Sequence, residues 1–274
     1  MVQLEQEVKK AQEGDNNALE KVLFSVKDTI YNLAMRMLWN PHDADDATQE
    51  ILIKIMTKLS TFQRKSSFKT WTFRVASNHL LTMKKTLAEK ETISFELFSK
   101  DLAEGYLTNS SSHYQRNEVE EKLFEEEAKV GCTSAMLLCL SRYERMVFIL
   151  HALFNVKSPI GGEILDTTAD AFRKTLSRTK RKIKNFMENN CGLINKECQC
   201  TCKKRIDIAI DKKRLNPKNL LFAKRNRSID NAMREMNELD NIASVFATMQ
   251  YQASENVSSS LKSLINSNTF TILQ

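Results

Sequence analysis

Wherever this chain shows a regular apolar pattern, the repeat is helical. Residues 18–38 place Leu19, Val22, Leu23, Val26, Ile30, Leu33, Ala34 and Met37 at steps of three and four, which lines one helix face and does not fit the alternation of a strand. Only 6 Gly and 3 Pro punctuate 274 residues, too few turn formers for a strand-rich fold. The expectation is an all-α protein of about two small helical domains.

The stretch WNPH at 39–42 breaks the first helix, and Asp43 is expected to cap the next. That second helix turns Ala44, Ala47, Ile51, Ile55 and Leu59 inward and leaves Asp46, Gln49 and Glu50 together on its early, exposed part. Such a cluster serves either as helix capping or as an acidic docking face for a basic protein partner. Residues 68–85, FKTWTFRVASNHLLTMKK, form a third helix. Its core side carries Phe68, Trp71, Thr72, Val75, Ala76, His79, Leu80 and Met83, and its other side carries Arg74, Ser77, Asn78, Leu81, Lys84 and Lys85. Before it runs FQRKSSF at 62–68, a basic loop between two aromatics, suited to cations and π faces meeting unpaired bases. A solvated basic face and a nucleic-acid interface both fit this segment.

The formal charge of +7 and pI near 9.0 favour an anionic partner. The charge is blocked, with six Glu against one Lys in 118–127 and ten basic against two acidic residues in 203–227, which points to more than one kind of partner. The opening residues MVQLEQEVKKAQEGD lack the apolar core of a secretory signal, and no apolar run approaches the ~20 residues of a membrane span. The expectation is a cytoplasmic protein without membrane insertion, whose cysteines stay reduced or bind metal.

Residues 94–113 are rich in Ser and Asn and read as a linker, followed by an acidic helix. An apolar stretch at 132–140 leads to the capping box SRYE at 141–144, which opens a helix containing Val147, Phe148, Leu150, His151, Leu153 and Phe154. After a break come a short helix around IGGEIL, a turn at Asp166, and a strongly basic helix capped by Thr168. This order matches a helix-turn-helix whose second helix enters a major groove.

DADDATQEILIKI followed by FKTWTFRVASNHL resembles the second conserved region of bacterial RNA polymerase sigma factors, specifically the small extracytoplasmic-function (ECF) group, and residues 140–178 resemble their fourth region. The resemblance implies that Asp46, Gln49 and Glu50 dock on the clamp coiled coil of the polymerase's largest subunit. It implies too that the Trp71 helix and the loop before it open promoter DNA and hold non-template bases. Trp71 then matches the family's buried Trp and Arg74 and Asn78 its DNA-facing residues, with Arg64, Lys65, Lys69, Lys84 and Lys85 added as phosphate contacts. His79 replaces an apolar residue and reads as a packed histidine, while Ser77 stands where Arg is common. In the fourth region Arg173, Lys174, Ser177 and Arg178 become the groove and phosphate contacts. That region departs from the family pattern at Asp166, where Gly is usual, at Gly161 and Gly162, each costing about 1 kcal/mol of helix against Ala, and at Phe172, where Val is usual.

The implied layout is a region 2 bundle at 1–90, a flexible linker at 91–131, a region 4 helix-turn-helix at 132–188 and a helical C-terminal extension at 189–274. The implied function is promoter recognition, DNA melting and transcription initiation with core RNA polymerase on promoter DNA, and the family admits an anti-sigma partner as well. No bond is made or broken, so neither catalytic residues nor a cofactor is required. The alternative is a helix-turn-helix regulator that binds duplex DNA without polymerase.

Cys191, Cys198, Cys200 and Cys202 crowd the start of the extension. Four thiols can satisfy tetrahedral zinc, although the Cys-x-Cys steps are tight for it, and a reduced thiol switch or incidental cysteines fit as well. Further on, Met233, Met236, Leu239, Ile242, Val245 and Phe246 suggest a packing helix, and 261–265 a last short apolar one.

Overall fold

The computed structural model describes residues 2–84, 94–107, 116–221 and 251–266. Lys85 and the expected helix at 231–246 lie outside them. In chain order the helices are α1 (Val2–Gln12), α2 (Asn16–Leu38), α3 (Pro41–Lys58), α4 (Phe68–Thr82), α5 (Phe95–Leu107), α6 (Glu118–Leu138), α7 (Arg142–Ala152), α8 (Ser158–Ile164), α9 (Ala169–Asn190), α10 (Cys202–Asp211) and α11 (Glu255–Asn266). Among the described residues no strand occurs, so the fold is all-α as expected. The chain divides into two compact units, one of Met1–Lys90, Lys157–Arg173 and Tyr251–Gln274, the other of Glu91–Val156 and Lys174–Gln250.

In the first unit α2 is the central strut, packed against α1, α3 and α4. Its apolar stripe is fully used, with Val22, Leu23, Ile30, Leu33 and Met37 all buried, each side chain contributing about 1.5–3 kcal/mol. Asp15 caps its start by accepting from the Asn17 and Ala18 amides, and Trp39 ends it in a left-handed conformation, φ 53°. The cap of α3 is Asn40, whose Oδ1 accepts from the His42 and Asp43 amides. Asp43, the expected cap, sits inside the first turn instead. Pro41 at the first helical position brings the cap forward, because its missing N–H costs nothing there.

α1 is an element that the polar N-terminal sequence did not announce. Val8 and Ala11 are buried, and the Glu5 carboxylate accepts the Phe68 amide at 2.9 Å, so one helix supplies an acid to the positive N-terminus of another. Gln12 donates to the carbonyls of Leu59 and Phe62 and thereby holds the chain as it leaves α3.

In the second unit the stretch expected as a linker carries α5, whose Phe98 is buried and stacked on Phe186 at 5.1 Å. α6 begins with a capping box between Asn117 and Glu120 and runs on through the apolar 132–138. The SRYE capping box of α7 forms as the sequence suggests. Arg145 of α7, buried, donates to the Leu137 and Leu140 carbonyls and so satisfies the end of α6. α10 packs on α6 around Phe124, Ile206, Leu215 and Leu220. Asp101 of α5 takes hydrogen bonds from Arg205, Lys212 and Arg214. Burial alone would raise its carboxyl, but the bonds from Arg214 and Lys212 and the charges of Arg214 and Arg205 outweigh that and hold it well below the usual carboxylate range.

Candidate nucleic-acid interface

α3 and α4 pack together and carry the first set of expected site residues. On α3, Asp46 and Glu50 are exposed and Gln49 is half-buried. The His42 ring lies 3.1 Å from the Asp46 carboxylate. The acidic face is therefore open, as a docking face requires.

Behind it stands His79 of α4, only 7% exposed. Lys54 Nζ donates to its Nδ1 at 2.5 Å, and its Nε2, without a hydrogen-bond partner, lies 3.7 Å from the Glu50 carboxylate. With Nδ1 accepting, the ring proton sits on Nε2 and faces Glu50. Burial and then the Lys54 charge lower the His79 pKa from its ordinary value, while Glu50 pulls it back up. A packed histidine is found where one is expected, but it also joins α4 to the acidic face of α3. Lys54 and Glu50 lie four residues apart, and only the packing of α4 reveals that they bracket one ring.

The loop before α4 differs from its sequence reading. Phe62 and Phe68 are both buried and form one aromatic cluster with Trp71, with ring centroids 5.4–5.7 Å apart. Phe62 and Phe68 are therefore core rather than stacking platforms for bases; aromatics spaced this way collapse on one another because burial and ring pairing, edge-to-face for Phe62 with Phe68 and stacked for Phe68 with Trp71, both favour it. Trp71 is half-buried. Ser77, assigned to the basic face, is fully buried, because α4 buries a wider arc once α2 and α3 both pack on it.

The basic residues, and Asn78 with them, remain outside. Arg64, Lys65, Lys69, Asn78 and Lys84 are exposed. Arg64 takes a left-handed backbone, φ 58°, and donates to Gln12 Oε1 at 3.0 Å. Lys69 sits over the Phe73 ring at 5.9 Å. Arg74 is the exception. Its guanidinium donates through Nε, at 3.0 Å, and Nη2 to the Glu163 carbonyl at the end of α8. α8 packs on α4 in this unit, so a residue expected to face DNA instead caps α8, the expected first helix of the helix-turn-helix.

On α9, Arg173, Lys174, Ser177 and Arg178 are all exposed, while Phe172, Leu176, Ile183 and Phe186 are buried. Thr168 caps this helix through the Ala171 amide at 3.1 Å. The turn before it holds Asp166 at φ 52°, the left-handed position that usually calls for Gly and that Asp tolerates. Gly161 meets Phe172: a Cβ there would lie 2.4 Å from the Phe172 ring.

The four cysteines of 191–202 form one folded loop. The Gly192 amide bonds the Cys200 carbonyl at 2.9 Å, and a Cβ on Gly192 would stand 2.3 Å from that oxygen, so no larger residue fits. The Ile194 and Asn195 amides both bond the Cys191 carbonyl. Cys132 of α6, which the sequence reading passed over, neighbours Cys191, Cys200 and Cys202. Burial raises the Cys132 and Cys191 thiols and pushes Cys202 up to about 12, so these thiols are protonated and poor nucleophiles at neutral pH. Among the described residues no three His, Cys, Asp or Glu are arranged as a set of metal ligands, and no helix is long and apolar enough to cross a membrane.

Residues 25–88 match the sigma-70 region 2 family. Over 75 residues the chain is 35% identical to the ECF RNA polymerase sigma factor SigW of Bacillus subtilis, covering 27% of this chain and 40% of that one. It is 32% identical over 74 residues to the RNA polymerase sigma-H factor of Pseudomonas aeruginosa, covering 27% and 38%. It is 38% identical over 56 residues to the ECF RNA polymerase sigma factor SigE of Mycolicibacterium smegmatis, covering 20% and 21%. The matched part thus spans two fifths or less of each relative. The match takes in most of α2 and all of α3 and α4, with the acidic face, the basic loop and His79. Residues 25–88 are a sigma-70 region 2 domain, and over 56–75 residues the chain is similar to ECF RNA polymerase sigma factors.

Proposed function

We propose that the whole chain works as a sigma factor: it binds core RNA polymerase, recognises promoter DNA and helps to melt it. The observation that carries this reading is the region 2 match together with the open face of Asp46, Gln49 and Glu50 on α3. An acidic face complements a basic protein partner and speeds and orients its docking. The exposed Arg64, Lys65, Lys69, Asn78 and Lys84 then contact the separated strand. Extruding a base costs a few kcal/mol, and stacking or enclosing it returns ~1–3 kcal/mol. Of the clustered rings Phe62, Phe68 and Trp71, the half-buried Trp71 is the one accessible enough to contribute.

Within this proposal residues 1–90 dock and melt, residues 91–131 connect, residues 132–188 read upstream duplex, and residues 189–274 regulate. The exposed row Arg173, Lys174, Ser177 and Arg178 supports groove entry by α9. Zinc at Cys191, Cys198, Cys200 and Cys202 is the finer proposal for the extension, supported by their common loop and the neighbouring Cys132. The thiols do not converge as they stand, so ligation requires the loop to rearrange. Metal analysis of the purified chain and of its Cys198→Ser and Cys200→Ser variants tests this, and equal zinc in all three excludes the loop as the site.

Transcription with bacterial core polymerase, with and without the chain, on promoters from its own genome tests the function. Defined start sites that depend on the chain are expected. Repression alone, with duplex binding in the absence of polymerase, would favour the helix-turn-helix regulator.

A further inference from the structure

The last described segment returns to the first unit and settles on α2 and α3. The Tyr251 ring lies 4.9 Å from the Arg36 guanidinium, and its backbone bonds Asn32 in both directions, its amide donating to Oδ1 at 2.8 Å and its carbonyl accepting from Nδ2. The Ala253 amide bonds the Asp28 carboxylate at 3.3 Å, and the Ser254 amide bonds the Asp45 carboxylate at 3.2 Å. Asp45 thus places an acid at the start of α11, where the helix dipole favours one. Farther along, Lys27 donates to Ser258 at 2.8 Å. Val257, Leu261 and Ile265, at steps of four, are all buried. These partners belong to region 2: Lys27, Asp28, Asn32, Arg36 and Asp45 fall within 25–88.

Asp45 is next to Asp46 in the chain, and Gln49 is one turn on from Asp45. α11 therefore borders the open acidic face on one flank. The contact is built from three aliphatic side chains, one ring and a rim of hydrogen bonds to side chains that water would otherwise serve. That makes it specific in register yet small enough to open. The Ser254 hydroxyl is buried there without a hydrogen-bond partner, a local penalty that opening relieves.

We propose that residues 251–266 are an internal lid on α2 and α3 that must leave before core RNA polymerase can seat on the neighbouring acidic face. The lid rests on the sigma-factor reading above. A lid closed in about nine molecules of ten lowers the apparent affinity for polymerase about tenfold, and any signal that releases it raises transcription by the same factor without a change at the acidic face.

The test uses the full chain and core RNA polymerase. Leu261→Asp places a charge in the buried stripe, and Tyr251→Ala removes the ring under Arg36; circular dichroism melting confirms that both stay helical. Each variant is expected to bind polymerase about tenfold more tightly than the parent, and to exchange amide hydrogens faster at 253–254. If parent and variants bind polymerase equally, the lid is overturned and the sigma reading stands. If none of them binds, both fall. Weaker binding by folded variants would make the segment part of the docking surface and would also overturn the lid.

Discussion

Arg74 of α4 places its guanidinium on the main-chain carbonyl of Glu163 at the end of α8. The carbonyls of a helix's last turn have no partner within it, and a guanidinium satisfies one with two donors. By its resemblance to the family pattern the same side chain is proposed to face DNA, and on that proposal the cap and the DNA contact exclude one another. Arg74→Ala is expected to speed amide hydrogen exchange across 158–165 without DNA and to lower the yield of open promoter complex roughly tenfold, as loss of a charged hydrogen bond implies. Unchanged exchange would remove the capping role, and unchanged opening the DNA role.

Charge reversal of the acidic face should act on binding and leave the fold alone. Asp46 and Glu50 are exposed, and the contact of Asp46 with His42 is a surface pair worth about 0–1 kcal/mol. The double variant Asp46→Lys, Glu50→Lys is expected to keep its melting temperature within a few degrees and to bind core polymerase at least about tenfold more weakly. Titration calorimetry or a fluorescence binding assay decides it, and full affinity would show that the partner docks elsewhere.

His79 ties stability to pH. Burial, then Lys54, lowers its folded pKa below the ordinary value, while in the unfolded chain it returns to about 6.5. Below that value the unfolded state binds more protons, so stability falls as pH drops from about 6.5 toward the lower folded value and is unaffected above. His79→Leu is expected to flatten that part of the curve. Urea unfolding at a series of pH values from 5 to 8 measures it, and an equal slope in both proteins would assign the dependence to another group.

Gly161 and Phe172 form a complementary pair. A methyl at 161 would meet the fully buried Phe172 ring at 2.4 Å, so Gly161→Ala is expected to destabilise by about 1–3 kcal/mol through overpacking, despite the ~1 kcal/mol that Ala gains in a helix. Phe172→Val alone leaves a cavity. The double variant should be more stable than the sum of the two changes; strict additivity in chemical denaturation would refute the pairing.

That pair shows where reading the chain residue by residue stops. Gly161 and Phe172 each look like a departure from the family pattern, and each alone looks like a loss. In space the small residue makes room for the large ring, which no local propensity records because the residues meet only after α8 and α9 fold back.

Much else was legible without coordinates. Helical period, the Ser141 and Thr168 caps and the exposed rows on α3 and α9 all follow from interactions within four residues, which a sequence displays directly. The region 2 match rests on the same kind of local pattern. Arg74 on Glu163, Lys54 and Glu50 around His79, Cys132 beside the cysteine loop and residues 251–266 on α2 and α3 depend on side chains that lie 25 to more than 200 residues apart. Tertiary packing alone decided those, because burial forces each buried polar or charged group to find a partner wherever the fold supplies one.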